Sequence, residues 1–347
     1  MKIRSLALAS LGLLAWSPAF AQGAASPDTV AVAESLGATA DAINRQGFVA
    51  GRDAASKRRV MIRAQIMLDR LHFSPGVIDG VAGSNMRLAV RSFQSASGLR
   101  ANGRLDRATW DKLVATGDLP ALRSYTIAAE DVAGPMEQPV KPGDYGMMAE
   151  RESMGWTSTR EALAERAHMD EALLVSLNPG VDLTKAGASI IVANVARDTL
   201  AEVATIEVDK ANRELRALGA DGKVLAVYPA TVGSAERPAP AGEWAVRTVA
   251  MAPTYTFDPA RLTFKSKGAA SGKHVVPAGP NNPVGGTWID LTKDTYGIHG
   301  APDPRLVGKV ASHGCVRLTN WDARELALAV KAGTKVIFAG KAAPARG

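Results

Sequence analysis

Two short stretches decide how this 347-residue chain is interpreted: Tyr296-Gly297-Ile298-His299-Gly300 and Ala311-Ser312-His313-Gly314-Cys315-Val316-Arg317-Leu318. They hold two of the five histidines and the only cysteine, Cys315, within seventeen positions. A lone cysteine excludes an intramolecular disulfide. Its neighbours are His, Gly and Arg, which are not the surroundings of a cysteine buried for packing.

Cys315 and its histidines allow three interpretations. In the first, Cys315 is a nucleophile, His299 or His313 takes its proton, and backbone N–H groups near Gly314 stabilise an oxyanion. In the second, the same three side chains bind zinc, but no carboxylate lies at close helical spacing to complete the ligand set. In the third, Cys315 is a buried, inert thiol. The residue pattern favours the nucleophile.

The signature Ser312-His313-Gly314-Cys315-Val316-Arg317, preceded by Ile298-His299-Gly300, resembles the L,D-transpeptidase (YkuD-type) catalytic domain. The resemblance extends upstream through Val232-Gly233, 238–242 and Pro280-Asn281-Asn282-Pro283-Val284-Gly285 to Trp288-Ile289. Ala239 stands where the family usually has threonine. The resemblance covers residues 203–340.

The resemblance implies a catalytic role for five of the matching residues. Cys315 matches the nucleophile, and His299 matches the general acid/base, oriented by the backbone carbonyl of Gly300. His313 matches the second signature histidine, near the oxyanion and the substrate, and Gly314 lies in the oxyanion loop. No cofactor and no metal are expected.

Four further residues are assigned to the site. Ser312 is counted with the catalytic group, where its hydroxyl is expected to close the loop rather than to react. Arg317 either holds a substrate carboxylate bidentately or forms a structural ion pair. Trp288 and Tyr296 are expected to contact the substrate.

The activity that the resemblance implies is acyl transfer on peptidoglycan. The thiolate attacks the third residue of a tetrapeptide stem, D-Ala leaves, and a second amine attacks the thioester. A stem amine as acceptor gives a 3→3 crosslink, a lipoprotein lysine gives an anchored protein, and water gives carboxypeptidase activity. The sequence does not choose among these acceptors.

The expected fold class is α+β and multidomain, with a strand-dominated, β-sandwich-like catalytic domain at 203–340. Alternating stretches such as 205–208 and 243–250 predict strands, and 213–216 with 224–228 predicts a hairpin. One helix is expected after Thr319, which begins an [ST]-x-x-[DE] capping pattern and is followed by the apolar residues Leu326, Ala327 and Val330.

Two small modules are expected upstream. Residues 57–117 resemble the three-helix peptidoglycan-binding domain, with helices at 63–72, 84–97 and 106–115; the matching residues are Gln65, Leu68, 76–80, Ala89, Val90, Phe93, Gln94, Gly98, Leu99, Gly103, Thr109, Trp110 and Leu113. Residues 143–197 resemble a divergent LysM-like module, in which His168 is interpreted as structural. Both modules are alternatively spacers that bind nothing.

The chain begins with features of an export signal. Residues 1–21 combine Lys2 and Arg4, an apolar run and Ala19-Phe20-Ala21, and 22–56 is interpreted as a linker with one short helix. The apolar run is too short for a membrane span, so none is expected after signal removal, and the periplasm or cell wall is the expected location. Removing Lys2 and Arg4 lowers the formal charge from +7 to +5. The chain has no basic run with interleaved aromatics, so a nucleic-acid partner is not expected. The ordinary balance of 22% charged and 46% hydrophobic residues excludes a disordered chain.

Overall fold

The fold is that of a computed structural model. It describes residues 27–49, 53–134, 136–233, 238–261, 272–312 and 314–340. The predicted signal at 1–21 lies outside the described residues. Among the described helices, none has the length and apolarity needed to cross a membrane.

The C-terminal part is built on an eight-stranded sheet. Its strands are β3 (Thr205–Asp209), β4 (Glu214–Leu218), β5 (Val224–Pro229), β6 (Gly242–Met251), β9 (Thr287–Leu291), β10 (Gly297–His299), β11 (Val316–Arg317) and β12 (Lys335–Ala339). Across the sheet their order is β11-β10-β9-β6-β12-β3-β4-β5. Most pairs are antiparallel; β10 with β11 and β3 with β12 are parallel. The chain is therefore α+β, as expected.

Strand β6 makes the sheet curl. Residues 242–245 of β6 pair with β12, and residues 246–251 pair with β9, with a register shift between Val246 and Thr248. Such an irregularity bends a strand and increases its twist. Both halves of the sheet and helix α9 (Asn320–Ala329) share one apolar core, in which Tyr228 and Ile289 are fully buried. The two layers expected for a β-sandwich are thus two halves of one curled sheet, which β6 joins.

The helical module upstream has helices α2 (Ala54–Arg70), α3 (Ser84–Ala96) and α4 (Arg107–Val114). Asp53 and Asp106 cap α2 and α4 with side-chain hydrogen bonds to backbone N–H groups. Buried Gln65 accepts from Gly80 N–H at 2.8 Å and donates to Asp79 at 2.8 Å. The motif residue Gln65 therefore holds the turn between α2 and α3 in place.

The second upstream unit places two helices beside a two-stranded antiparallel sheet. The strands are β1 (Leu122–Thr126) and β2 (Ser189–Ala193), and the helices are α7 (Thr159–Arg166) and α8 (Glu171–Leu177). Strand β1 was not anticipated, because only Leu122 in it is fully buried and the stretch lacks a clear alternation. It begins upstream of position 143, where the LysM-like module was expected to start.

Residues 22–56 were interpreted as a linker with one short helix, and 27–44 form the 18-residue helix α1 (Pro27–Asn44). Its buried residues Leu36, Ala40 and Ile43 pack into the core of β1, β2 and their helices. The four- and three-residue spacing of these side chains forms one helical face. Small, Ala-rich surroundings hid that face in the sequence. Helices α5 (Ala129–Val132) and α6 (Tyr145–Ala149) lie between β1 and α7.

Backbone hydrogen bonds join the three parts. Val227 N–H in the edge strand β5 donates to His72 O at 2.8 Å, and Ser74 N–H donates to Val227 O at 2.9 Å. Ile78 N–H donates to His168 O at 2.8 Å. The helical module therefore covers the open edge of the large sheet and also pairs with the second unit.

A buried charged network lies where the parts meet. Asp69 of α2, fully buried, pairs with His168 at 3.1 Å and with Arg197 at 3.5 Å, and Arg197 pairs with Glu325 of α9 at 2.7 Å. His168 stacks on Trp321 with ring centroids 4.8 Å apart. These contacts support the structural role expected for His168.

Candidate active site

The register of three neighbouring strands places the site on the face of the sheet opposite the core. The positions Ile289, Ile298 and Val316 are paired side by side and fully buried in the core. The following row pairs Trp288 with His299 and His299 with Arg317. Since side chains alternate along a strand, this row lies on the other face.

Cys315 directly precedes β11 and is two positions from Arg317, so by strand alternation the two side chains lie on one face. The thiol is partly exposed, and Sγ lies 3.8 Å from the carbonyl oxygen of Thr295. Burial raises the pKa of the Cys315 thiol, which a backbone hydrogen bond at Gly297 and the charge of Arg317 partly oppose. The resting group is therefore a thiol at neutral pH.

His299 is a buried, neutral base. Its exposed fraction is 3%, and Nδ1 lies 2.6 Å from the carbonyl oxygen of Gly300. A carbonyl only accepts, so Nδ1 carries the proton and Nε2 keeps its lone pair. Burial, followed by the charge of Arg317, lowers the pKa of His299 to about 3. The imidazole can accept a proton but does not hold one at rest.

Ser312 and Gly314 shape the loop before the thiol. The Ser312 hydroxyl donates to the carbonyl of Cys315 at 2.5 Å and accepts from Gly314 N–H at 3.2 Å. Gly314 has φ +125°, and a Cβ there would lie 2.9 Å from the ring of Tyr296. Ser312 thus closes the loop, and Gly314 admits the close approach of Tyr296. His313 lies outside the described residues.

Trp288 is held over the histidine. Its ring stacks on His299 with centroids 5.4 Å apart, and its indole N–H donates to Asp290 at 3.3 Å. The ring also covers Gly297, where a Cβ would lie 2.4 Å from an indole carbon. Trp288 therefore packs against the base, and Tyr296 packs against the loop before the nucleophile.

Arg317 brings a positive charge beside Cys315 and His299. Its Nε is buried and has no hydrogen-bond partner among the described residues, while its backbone N–H and C=O pair with Thr231 at 2.9 Å. The backbone of Arg317 is thus fixed by Thr231, and one buried donor of its side chain has no partner within the described ranges.

Asn320 and its partners Gly286 and Glu165 were not singled out from the sequence. The Asn320 side chain packs against Gly300, whose carbonyl binds His299. Oδ1 of Asn320 accepts from Gly286 N–H at 3.2 Å, and a Cβ on Gly285 or Gly300 would lie 2.1 Å from that oxygen. Asn320 Nδ2 donates to Glu165 of α7 at 2.9 Å. The Gly285-Gly286 and Gly300 pattern was the available signal, because adjacent glycines in a site domain indicate close backbone approach.

The strands β7 (Tyr255–Phe257) and β8 (His274–Val276) form a small antiparallel pair. Burial is the main cause that raises the pKa of Tyr255 to about 12, and the charge of Arg317 partly opposes it. No group of three or more His, Cys, Asp or Glu side chains suited to a metal ion occurs within the described ranges.

Comparison with known families matches two parts of the chain. Residues 204–338 match the L,D-transpeptidase catalytic domain (YkuD), and residues 60–113 match a putative peptidoglycan binding domain. The expected LysM-like module is not confirmed by these matches. Of the predicted site residues, the structure brings together Cys315, His299, Gly300, Ser312, Gly314, Arg317, Trp288 and Tyr296.

The chain is similar to several curated and solved proteins. It is 31% identical over 181 residues to the putative L,D-transpeptidase YkuD of Bacillus licheniformis, which covers 51% of this chain and 92% of the relative. It is 32% identical over 187 residues to the probable L,D-transpeptidase ErfK/SrfK of Escherichia coli K12, covering 52% and 59%.

Among solved structures, an L,D-transpeptidase of Xylanimonas cellulosilytica has 17% identity, a TM-score of 0.36 and coverage of 80% and 92%. L,D-transpeptidase 3 of Mycobacterium tuberculosis has 15% identity, a TM-score of 0.33 and coverage of 45% and 75%. With a relative matched over nearly its whole length and the catalytic family matched across the sheet that carries Cys315, the chain belongs to the L,D-transpeptidase family of acyltransferase enzymes.

Proposed function

We propose that the chain is an exported cysteine transpeptidase that acts on peptidoglycan tetrapeptide stems, releases D-Ala and forms 3→3 crosslinks. The observation that carries this proposal is the strand register that pairs His299 with Arg317, two positions after Cys315. The family to which the chain belongs and the match at 60–113 support peptidoglycan as the substrate.

The first step is acylation of the thiol. Cys315 Sγ attacks the carbonyl carbon of the third stem residue while Nε2 of His299 accepts the thiol proton. A C–S bond forms, the C–N bond to D-Ala breaks, and the proton on His299 passes to the leaving amine. The neutral tautomer fixed by Gly300 supports this order, because only an unprotonated imidazole can begin it.

The second step transfers the acyl group. The acceptor amine attacks the thioester and gives a proton to His299. The C–S bond breaks, and the proton returns to sulfur. Backbone N–H groups of the loop around Gly314, where φ is positive, are proposed to stabilise the two oxyanions. His313 is assigned to the same loop from the signature alone.

Arg317 is the residue proposed to hold the donor. Stems carry free carboxylates, and a guanidinium binds a carboxylate through two parallel N–H donors. The buried Nε, which has no hydrogen-bond partner in the part of the chain that the structure describes, supports this assignment over a structural ion pair. Trp288 and Tyr296 are proposed to contact the stem from the two sides of the nucleophile.

The location and the acceptor are also proposals. The export signal at 1–21 and the wall-binding modules support the periplasm or cell wall, and a lipoprotein lysine is the alternative acceptor. Residues 122–193 are proposed to be the LysM-like module, supported by its paired strands and two helices.

The test is a muropeptide turnover assay with the full mature chain from Gln22. Purified disaccharide-tetrapeptide is incubated with the protein and with Cys315→Ala, and products are resolved by liquid chromatography and mass spectrometry. A crosslinked dimer lacking one D-Ala is expected, and it should be absent with the variant. Tripeptide alone moves the assignment to carboxypeptidase. Absence of turnover in both proteins, together with no acylation of Cys315 by a carbapenem-type β-lactam, contradicts the proposal.

A further inference from the structure

Helix α7 of the second unit contacts the catalytic part through two glutamates. Glu161 and Glu165 are four positions apart on α7 and therefore lie on one face of the helix. Oε1 of Glu161 accepts from Asn281 Nδ2 at 2.8 Å, and Oε1 of Glu165 accepts from Asn320 Nδ2 at 2.9 Å. Each of these carboxylates therefore holds one asparagine amide of the catalytic part.

Both polar atoms of the Asn320 side chain have partners. Nδ2 donates to Glu165 and, at 3.1 Å, to the carbonyl oxygen of Pro280, while Oδ1 accepts from Gly286 N–H at 3.2 Å. Carboxylate and carbonyl oxygens only accept and a backbone N–H only donates, so these partners allow one orientation of the amide. Asn320 is 8% exposed, so loss of Glu165 would leave a buried Nδ2–H without its acceptor. Glu165 therefore restrains the position of the amide.

The oxygen of this amide lies against the glycine that orients the base. A Cβ on Gly300 would lie 2.1 Å from Oδ1 of Asn320, so the glycine backbone and the amide oxygen are in contact. The carbonyl oxygen of Gly300 lies 2.6 Å from Nδ1 of His299. Three consecutive contacts therefore lead from the Glu165 carboxylate to the imidazole.

We propose that Glu165 is a positioning residue for the base. It fixes the Asn320 amide, the amide fixes the backbone at Gly300, and that backbone orients the imidazole of His299. This inference rests on the proposed function and deepens it, because the second unit then takes part in setting the geometry of the chemical step. A displaced imidazole is misaligned with the thiol and with the leaving amine, which slows proton transfer more than it weakens donor binding.

The first experiment measures muropeptide turnover by the full mature chain. Glu165→Ala removes the acceptor, so kcat should fall about 10-fold while KM stays within about 2-fold. Glu165→Met, of similar length and without an oxygen, replaces the alanine variant if that variant does not fold. Glu165→Gln keeps an oxygen that can accept from Asn320, so kcat should return to within about 3-fold of the wild type. Adding Glu165→Ala to Asn320→Ala should change kcat less than about 2-fold, because the amide is already gone.

Glu161→Ala is the matched control. It removes the equivalent contact one turn earlier, and Glu161 also accepts from Thr157 N–H at 2.7 Å, so the same interface is loosened at least as much. Its partner Asn281 also donates to Gly155 O at 2.9 Å, and kcat of this variant should stay within about 2-fold. Urea unfolding gives the stability of each variant. Equal losses of kcat in Glu161→Ala and Glu165→Ala would show that only the docking of the unit matters and overturn the inference.

A second readout observes the imidazole directly. In protein with isotope-labelled histidine, NMR detects the Nδ1–H of His299 as the resonance that disappears in His299→Gln. This proton is buried and hydrogen-bonded, so its exchange with water should be slow, and Glu165→Ala should accelerate the exchange at least about 10-fold. Glu161→Ala and Glu165→Gln should keep the exchange within about 3-fold of the wild-type rate. Unchanged exchange in Glu165→Ala contradicts the positioning role.

The two proposals fail differently. A wild type without turnover and without acylation by a carbapenem-type β-lactam contradicts the transpeptidase assignment, and the exchange measurement still tests Glu165. An active wild type in which Glu165→Ala keeps the wild-type kcat contradicts only the positioning role.

Discussion

His299 and Cys315 rest as a neutral pair. The same burial that lowers the pKa of His299 to about 3 raises the pKa of the thiol, so both groups favour their uncharged forms. Arg317 opposes a charge on the imidazole and favours one on sulfur. In the proposed mechanism the site therefore develops charge when the proton moves, and not before the substrate arrives.

The first residue-scale prediction concerns this resting state. Because the Cys315 pKa is raised, the iodoacetamide alkylation rate should climb about tenfold per pH unit through pH 7 and continue upward beyond pH 9. Mass spectrometry of the modified chain gives the rate at each pH. Glutathione in the same buffers supplies the comparison with an ordinary thiol. A flat profile from pH 5 to 8 would indicate a preformed thiolate–imidazolium pair and contradict this prediction.

Side-chain roles at this scale were predictable to different degrees. The motif identified Cys315, His299 and Ser312, and the residue types indicated their chemistry. Asn320 and Thr295 were not found, because each acts through a contact with residues more than fifteen positions away. Such contacts depend on tertiary packing, which one sequence does not reveal.

At the scale of elements, the packing of β9 against β10 requires glycine at position 297. The ring of Trp288 occupies the space that a Cβ of Gly297 would need, at 2.4 Å from an indole carbon. That ring also stacks on His299. Because Gly297 has no side chain, the Trp288 ring can lie close to the sheet. In that position the ring packs against His299.

Substitution of this glycine gives the element-scale prediction. Gly297→Ala should displace Trp288, destabilise the protein by about 1–3 kcal/mol and lower turnover at least about 10-fold. Denaturant unfolding and the muropeptide assay provide the two measurements.

A matched control lies in the same region. Gly286 directly precedes β9 and has nothing within 4 Å of its Cβ position. Gly286→Ala should therefore cost less than about 1 kcal/mol. Equal losses in the two variants would contradict the steric explanation.

Long elements were predictable and short ones were not. Strand β6 includes the predicted positions 243–250, and helix α9 begins after Thr319, whose hydroxyl accepts from Asp322 N–H. The strands β7, β10 and β11 have two or three residues, too few to show a period of two. Their pairing comes from neighbouring strands and not from a local pattern.

For the whole molecule, α9 is the meeting point of the parts. Asp322 is fully buried, accepts from Ser74 Oγ at 2.8 Å through one oxygen, and has no partner for the other among the described residues. Burial raises the pKa of Asp322 to about 8. Arg197 lowers this pKa, and the nearby carboxylate of Asp69 raises it. The carboxyl group is thus held protonated at the junction.

This protonation predicts a pH dependence of stability. Between about pH 4 and 8 the folded state keeps the proton of Asp322 and the unfolded state loses it, so stability falls as pH rises. His299, with its lowered pKa, destabilises the fold only below about pH 6.5. From pH 6.5 to 8 Asp322 should therefore cost about 2 kcal/mol of unfolding free energy.

Asp322→Asn isolates this contribution. The amide resembles the protonated acid, so the slope between pH 6.5 and 8 should be largely lost when urea unfolding is measured at several pH values. Asp111→Asn, at an exposed carboxylate of α4, should keep the wild-type slope. A slope unchanged by Asp322→Asn would show that another group carries the titration.

The arrangement of the modules could not be predicted. The sequence indicated three separate units, and the families of two are confirmed. Two isolated β-bridges hold the units together, one between Phe73 and Val227 and one between Ile78 and Met169. Arg197 adds ion pairs to Asp69 and Glu325. Of these residues only Ile78 belongs to a motif, because an interface needs only shape and charge that fit a distant surface.

The covered edge of β5 has a consequence for where crosslinks form. A binding module on a flexible tether lets an enzyme search every stem within the tether's radius. Here the helical module is hydrogen-bonded to the catalytic sheet itself, so the distance from anchor to thiol has one value. When the helical module binds a glycan strand, we expect the enzyme to act on stems at one fixed distance from that binding point. Stems at shorter distances along the same strand should not reach the thiol.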